Sequence, residues 1–180
     1  ILHAIHDGIS CGFLDAVFPK LTLLCYLFIG AAVVFLFFRK FRQGGAAMCG
    51  AILLSLLVGN LLLKNLVARD RPCWIDPDFL QLLVSVPKDF SFPSAHTMIS
   101  VSAAAALFHY SKALGIPALV IAALVGFSRL YLFVHFPTDV LAGAVIGVLL
   151  AVVSCIVTDK IAARIKSKKA VNLSLIHISE

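Results

Sequence analysis

The stretch LGIPALVIAALVGFSRLYLFVHFPTD, residues 114–139, decides how this chain folds. From Leu114 to Val134 its only charged residue is Arg129, and the run approaches the roughly 20 apolar residues that cross about 30 Å of hydrocarbon as a helix. His135 then sits in a break before Pro137, and Asp139 opens the next apolar run, Val140 to Val157. Two further runs, Leu21 to Phe38 and Ala46 to Leu63, contain no charge at all, and Pro93 to Tyr110 is apolar apart from hydroxyls and two imidazoles. The composition agrees with a chain solvated by lipid. It is 61% hydrophobic and only 13% charged, where a soluble domain carries about a quarter charged residues, and its mean hydropathy is +1.03. The fold expected is all-α: a polytopic membrane helical bundle of about five transmembrane helices in a single domain over residues 1–170.

The N-terminal segment reads differently. Ile1, Leu2, Ile5, Ile9, Phe13, Leu14 and Val17 recur at helical spacing among His3, His6, Asp7 and Asp15, which predicts an amphipathic helix lying in the interface. It is too polar for a signal peptide and lacks a basic start, so no cleaved leader is expected. At the other end residues 171–180, closing on LSLIHISE, do not continue the basic segment before them and read as a non-native tail. Counting spans places Arg39, Lys40, Arg42, Lys112, Lys160, Arg164, Lys166, Lys168 and Lys169 on one side, which the positive-inside rule makes cytoplasmic together with the C-terminus. Lys20, Lys64, Arg69, Arg71, Lys88 and Arg129 then fall at the extracytoplasmic rim. The positive charge is thus two populations, one topological and one a candidate anion site.

Three clusters at that rim carry the chemistry. Lys64 sits on the last turn of its helix and Arg71 in a loop held by Pro72, a point charge and a planar fork suited to phosphate. Pro93 is placed to be a first helical residue, with Ser91 as N-cap. Ser94 and Ala95 then offer a hydroxyl and free backbone N–H groups to an anion, with His96 in the first turn. In the third cluster Arg129 lies roughly two turns before the outer end of its helix. The four-residue offset from His135 to Asp139 lets a carboxylate accept from one imidazole nitrogen, leaving the other free to attack. A structural reading is also open, in which Asp139 caps its helix and Arg129 reaches to the surface. Metal chemistry is disfavoured by the donors: Glu180 is the only glutamate, and Asp76 and Asp78 flanking Pro77 read as a turn. Cys11, Cys25, Cys49, Cys73 and Cys155 show no CxxC spacing and read as packing residues. The apolar residues Trp74, Ile75, Phe79, Leu80, Leu82, Leu83, Val84 and Phe90 form an outer loop that either lies on the bilayer or packs on the bundle.

Taken together, Lys64 with six residues before Arg71-Pro72, then Pro93-Ser94-Ala95-His96, then Ser128-Arg129 with five residues before His135 and three before Asp139, resemble the three-part signature of the type-2 phosphatidic acid phosphatase superfamily. Ala95 stands where that family usually has Gly. The resemblance implies a metal-independent hydrolase with no cofactor. Lys64, Arg71, Ser94, Ala95 and Arg129 would bind the phosphoryl group. His135, oriented by Asp139, would become phosphorylated, and His96 would protonate the leaving oxygen and then activate water. It implies a phosphorylated lipid as substrate, with no nucleic acid partner. Undecaprenyl diphosphate, phosphatidylglycerophosphate and phosphatidic acid remain equal alternatives, because the signature reads only phosphate. The best fit is a small phosphatase of a bacterial plasma membrane. A vanadate-dependent haloperoxidase-like enzyme and a non-catalytic transporter or scaffold are the competing classes.

Overall fold

The computed structural model describes residues 2–77 and 83–178, all helix and connecting turns. Ile1, Asp78, Phe79, Leu80, Leu82 and Glu180, which figured in the sequence reading, lie outside the described residues. The helices are α1 (Leu2–Ile9), α2 (Gly12–Leu21), α3 (Leu24–Phe37), α4 (Arg42–Ser55), α5 (Lys64–Val67), α6 (Pro72–Ile75), α7 (Ala95–Tyr110), α8 (Lys112–Tyr131) and α9 (Pro137–Ile178), with a π-helical stretch over Leu56–Leu63 joining α4 to α5.

Among the described residues four helical runs are long and apolar enough to cross a membrane: Gly12–Phe37, Arg42–Ile75, Lys112–Tyr131 and Pro137–Lys168. The expectation of five spans is corrected at the third, which begins at Ala95 rather than Pro93 and has 16 residues, about 24 Å of helix. Its position explains its composition. α7 contacts α3, α4, α8 and α9 and buries Thr97 to Ala104 almost continuously, so it faces protein where the others face lipid. It can therefore carry hydroxyls, and Ser102 is paired with Ser55 of α4 at 3.0 Å. The surrounding helices present their apolar side chains outward: Tyr26, Leu27, Val33 and Phe37 on α3, Leu141, Val145, Leu149 and Val152 on α9.

Small residues bring α9 against α7, as expected where lipid offers no hydrophobic gain for helix association. A Cβ added at Gly143 would lie 2.8 Å from the Ser94 carbonyl oxygen, and one at Gly147 would lie 2.8 Å from that of Met98. These two glycines, one turn apart, fix how close the start of α9 comes to the start of α7. Gly147→Ala is expected to cost about 1–3 kcal/mol through overpacking. A thermal unfolding midpoint in detergent unchanged from wild type would rule that out.

The N-terminal region departs from the single interfacial helix. It is broken at Ser10 and Cys11, where the backbone is extended (Cys11 φ −157°, ψ 156°), and α2 continues into the first span. Instead of lying free, it packs under the α8–α9 turn. Leu2 and Phe18 are buried with Tyr131, Leu132, Phe133 and Val134, Phe18 stacks on Tyr131 at 4.4 Å, and the Tyr131 hydroxyl donates to Asp15 at 2.5 Å. At the opposite end α9 continues to Ile178 without a break; its 42 residues reach about 63 Å, twice the hydrocarbon thickness.

Candidate active site

Every rim cluster lies at one end of the bundle, because successive long helices run antiparallel. There a cavity of about 290 Å³ is lined by Lys64, Arg71, Ala95, His96, Arg129 and His135, by Asn60 and Asp89, and by the apolar side chains of Tyr26, Ile29 and Leu56.

Lys64 follows the π-helical stretch, whose widened turn rotates every later side chain around the axis. α5 ends at Ala68 in the left-handed region (φ 46°), and the chain turns into the extended segment that carries Arg69 and Arg71. Residues two apart in an extended segment share a face. Arg69 and Arg71 both reach the α8–α9 turn: Arg69 Nη1 donates to Asp139 Oδ1 at 2.8 Å and to Thr138 at 2.7 Å, and Arg71 Nη1 donates to the Val134 carbonyl at 2.8 Å.

That turn presents His135. Phe133 adopts φ 58°, a left-handed conformation that costs a non-glycine residue energy and persists only where its surroundings hold it. The Val134 N–H bonds to the Arg129 carbonyl at 3.3 Å, closing the reversal. His135 is 2% exposed and Asp139 is fully buried.

The geometry fixes the tautomer. Arg71 Nη1 lies 3.2 Å from His135 Nε2, and a guanidinium can only donate, so Nε2 is the unprotonated nitrogen and Nδ1 carries the hydrogen. The direct His135–Asp139 bond is absent, since Nδ1 and Oδ2 are 3.7 Å apart. Ser91 stands between them. Its hydroxyl lies 3.3 Å from Nδ1 and donates to Asp139 Oδ2 at 2.5 Å, and Oδ2 also accepts from the Phe136 N–H at 2.9 Å. Burial pushes the His135 imidazole down to about 4 against the upward pull of Asp139, and the nearby Arg71 and Arg129 charges act in the same direction as burial. The ring is neutral at pH 7, and its Nε2 lone pair becomes available for attack once the hydrogen bond from Arg71 turns to the phosphoryl oxygens.

Ser91→Ala is therefore expected to lower kcat about 10–100-fold with little change in KM, by freeing the imidazole to turn. A wild-type kcat would remove Ser91 from the relay.

Not all the expected residues face the cavity. α7 starts two residues later than predicted, with Ser94 rather than Ser91 as N-cap, because Phe92 to Ser94 remain non-helical. Ser94 is fully buried. Its hydroxyl pairs with Thr97 at 2.9 Å and its N–H donates to the Asp139 carbonyl at 3.1 Å. Ala95 and His96 line the cavity instead, and their N–H groups, in the first helical turn, have no intrahelical acceptor. Ala95 begins a regular helix, so its methyl is accommodated without strain. Arg129 is bonded to Thr22 through Nη2, while its buried Nε has no partner among the described residues.

Sequence reasoning missed Asp89, Ser91 as a relay, and Arg69. Asp89 pairs with both cations of the first cluster, Lys64 and Arg71. Partial burial pushes its carboxyl up, but Lys64 and Arg71 more than offset this and hold it below the usual carboxylate range. The one available signal was the alternation of Arg69 with Arg71. Nothing in the residue string tied Asp89 to Lys64.

A neutral imidazole nitrogen facing a cavity walled by cations and helix N–H groups is chemically able to attack an anionic electrophile such as a phosphorus centre. A sequence model of the PAP2 superfamily matches residues 44–162. Over 124 residues the chain is 32% identical to an undecaprenyl-diphosphatase of Sulfolobus acidocaldarius, covering 68% of this chain and 59% of the relative. Over 136 residues it is 37% identical to phosphatidylglycerophosphatase B of Bacillus subtilis, covering 68% and 60%. The matched stretch thus spans about three fifths of each of these relatives. The crystal structure of Aquifex aeolicus LpxE superposes with a TM-score of 0.74 at 27% identity, covering 85% of this chain and 92% of that one.

Proposed function

The chain belongs to the PAP2 superfamily, and from that premise we propose that it hydrolyses the phosphate ester or diphosphate of a membrane lipid through a phosphohistidine on His135. The observation that carries this reading is the unprotonated Nε2 of His135, set by Arg71 in the wall of a cavity shared with Lys64, Arg129 and His96.

In the first step Nε2 attacks phosphorus in line, the N–P bond forms and the P–O bond to the lipid breaks. Buried among cations, the His96 imidazole is neutral before substrate binds. The negative charge of the arriving phosphoryl group favours its protonation, and as imidazolium it then gives its proton to the leaving oxygen. The positive charge that develops on His135 is relieved through Nδ1, Ser91 and Asp139, and negative charge on the phosphoryl oxygens by Lys64, Arg71, Arg129 and the N–H groups of Ala95 and His96. In the second step neutral His96 takes a proton from water, whose oxygen attacks phosphorus. The N–P bond breaks, inorganic phosphate leaves and His135 returns neutral.

The apolar part of the cavity, formed by Tyr26 and Ile29 on α3 and by Leu56 at the start of the π-helical stretch, lies beside lipid-facing surface. Along one strip Leu56, Asn60 and Lys64 pass from alkyl to amide to ammonium, the polarity order of a lipid phosphate from tail to head. The end of the bundle carrying the site is the one opposite Arg39, Lys40, Lys112 and Lys160, which supports an extracytoplasmic site and a cytoplasmic C-terminus. The relatives' names span prenyl diphosphates and phosphatidylglycerophosphate, so the substrate is taken as a lipid mono- or diphosphate.

The test is phosphate release from a panel of prenyl and glycerolipid mono- and diphosphates by protein purified with chelator, with His135→Ala alongside. Release by the wild type and none by the variant is expected. A wild-type protein inert toward the whole panel would overturn the reading.

A further inference from the structure

We propose that the Asp89 carboxylate is an internal anion that occupies the phosphate seat of Lys64 and Arg71, so that a substrate's phosphoryl group displaces it on binding and Asp89 sets the charge a ligand must bring. This inference rests on reading the cavity as a phosphate site.

The two carboxylate oxygens are divided between the two cations. Oδ2 is taken by Lys64 Nζ and Oδ1 by Arg71 Nη2 at 2.7 Å. Two phosphoryl oxygens would engage an ammonium and a guanidinium in the same manner. The cations are buried, Lys64 at 5% and Arg71 at 3% exposure, whereas the Asp89 side chain is 55% exposed. The carboxylate therefore enters the seat from outside, with a route by which to leave it.

The backbone around it is anchored independently of that carboxylate. Arg71 Nε donates to the Asp89 carbonyl at 2.6 Å and Nη2 to the Phe90 carbonyl at 3.3 Å, while the Ser91 N–H donates to the Arg69 carbonyl at 2.8 Å. Trp74 Nε1 donates to the Pro87 carbonyl at 3.1 Å. A rotation of the Asp89 side chain alone opens the seat and leaves the segment from Pro87 to Ser91 in place. While the carboxylate remains, a phosphoryl group meets a like charge at the point where it needs both cations. A dianion, which gains Lys64, Arg71 and Arg129 together, is the ligand best able to displace it, and a singly charged anion is disfavoured.

The experiment reads anion binding without turnover. Wild type, Asp89→Asn and Asp89→Ser are titrated with inorganic phosphate in detergent, and protection against thermal unfolding is followed. Half-maximal protection is expected at about tenfold lower phosphate in the neutral variants, because they bind without displacing a charge. Two variants are used so that poor folding of one leaves the other. An equal or higher phosphate requirement would overturn the proposal and make Asp89 a residue that positions the cations for phosphate. If phosphate protects none of the three proteins the proposal also falls, and lipid phosphate release by the wild type then decides separately whether the proposed function stands.

Discussion

Replacing His135 with alanine is expected to reduce phosphate release by at least about 10⁴-fold, and to do so in kcat rather than KM. The cations proposed to bind the phosphoryl group do not depend on the imidazole. Lys64 is held by Asp89, Arg71 keeps its bonds to the Asp89, Phe90 and Val134 carbonyls, and Arg129 keeps Thr22. Substrate should still bind while the atom that forms the N–P bond is missing. Because His135 is buried, the alanine variant leaves a void, so His135→Gln serves as a filled control with the same expected loss. The direct readout is covalent. Wild-type protein quenched during turnover with substrate labelled in the phosphoryl group should carry acid-labile, alkali-stable label, and neither variant should. Label retained by His135→Ala would place the nucleophile elsewhere. The acid limb of wild-type kcat/KM, corrected for ionisation of the substrate, belongs near pH 4 rather than 6.5, because protonation blocks Nε2 and burial holds that protonation down to about 4. The sign for stability follows: the unfolded state binds this proton more readily, so His135 removes stability as pH falls from about 6.5 toward 4.

The three clusters proposed to form the phosphate site could be picked out of the string because their spacings follow helix geometry. His135 and Asp139 are four apart at the start of a Pro-initiated helix, and Arg129 lies in the last turn of α8, closer to its end than the roughly two turns expected from the apolar run, so counting spans puts them at one depth. What the string concealed depends on the tertiary path. Ser91 enters the His135–Asp139 pair only because Phe92 to Ser94 stay non-helical and bring the loop across the start of α9. Local propensity suggested that Pro93 would open the helix and Ser91 would cap it. Asp89 sits 25 residues from Lys64 and shares no periodicity with it, so only the folded loop joins them. The count of spans failed at α7 for a related reason. Hydropathy treats every apolar run as meeting lipid, and a helix enclosed by its neighbours can be shorter and can pair hydroxyls with them, as Ser102 pairs with Ser55.

Arg71→Lys is expected to lower kcat/KM by about 10²–10³-fold although it conserves the charge. Arg71 uses its planar fork in three directions at once: toward the carbonyl and carboxylate of Asp89, toward the Val134 carbonyl, and toward Nε2 of His135. An ammonium at the end of a flexible stem can serve one or two of these, and it cannot hold the imidazole and the loop together. The loss should appear mainly in kcat, because the remaining positive charge still attracts the phosphate while the nucleophile is no longer aimed. Stability should fall as well, by about 1–3 kcal/mol for each buried carbonyl left without a donor, seen as a lower unfolding midpoint in detergent. Arg71→Ala separates charge from geometry. A further loss expressed chiefly in KM would assign the charge to binding and the fork to alignment. If Arg71→Lys retained the wild-type kcat, the guanidinium would be acting as a point charge, and the tautomer of His135 would have to be held by Ser91 and Asp139 alone.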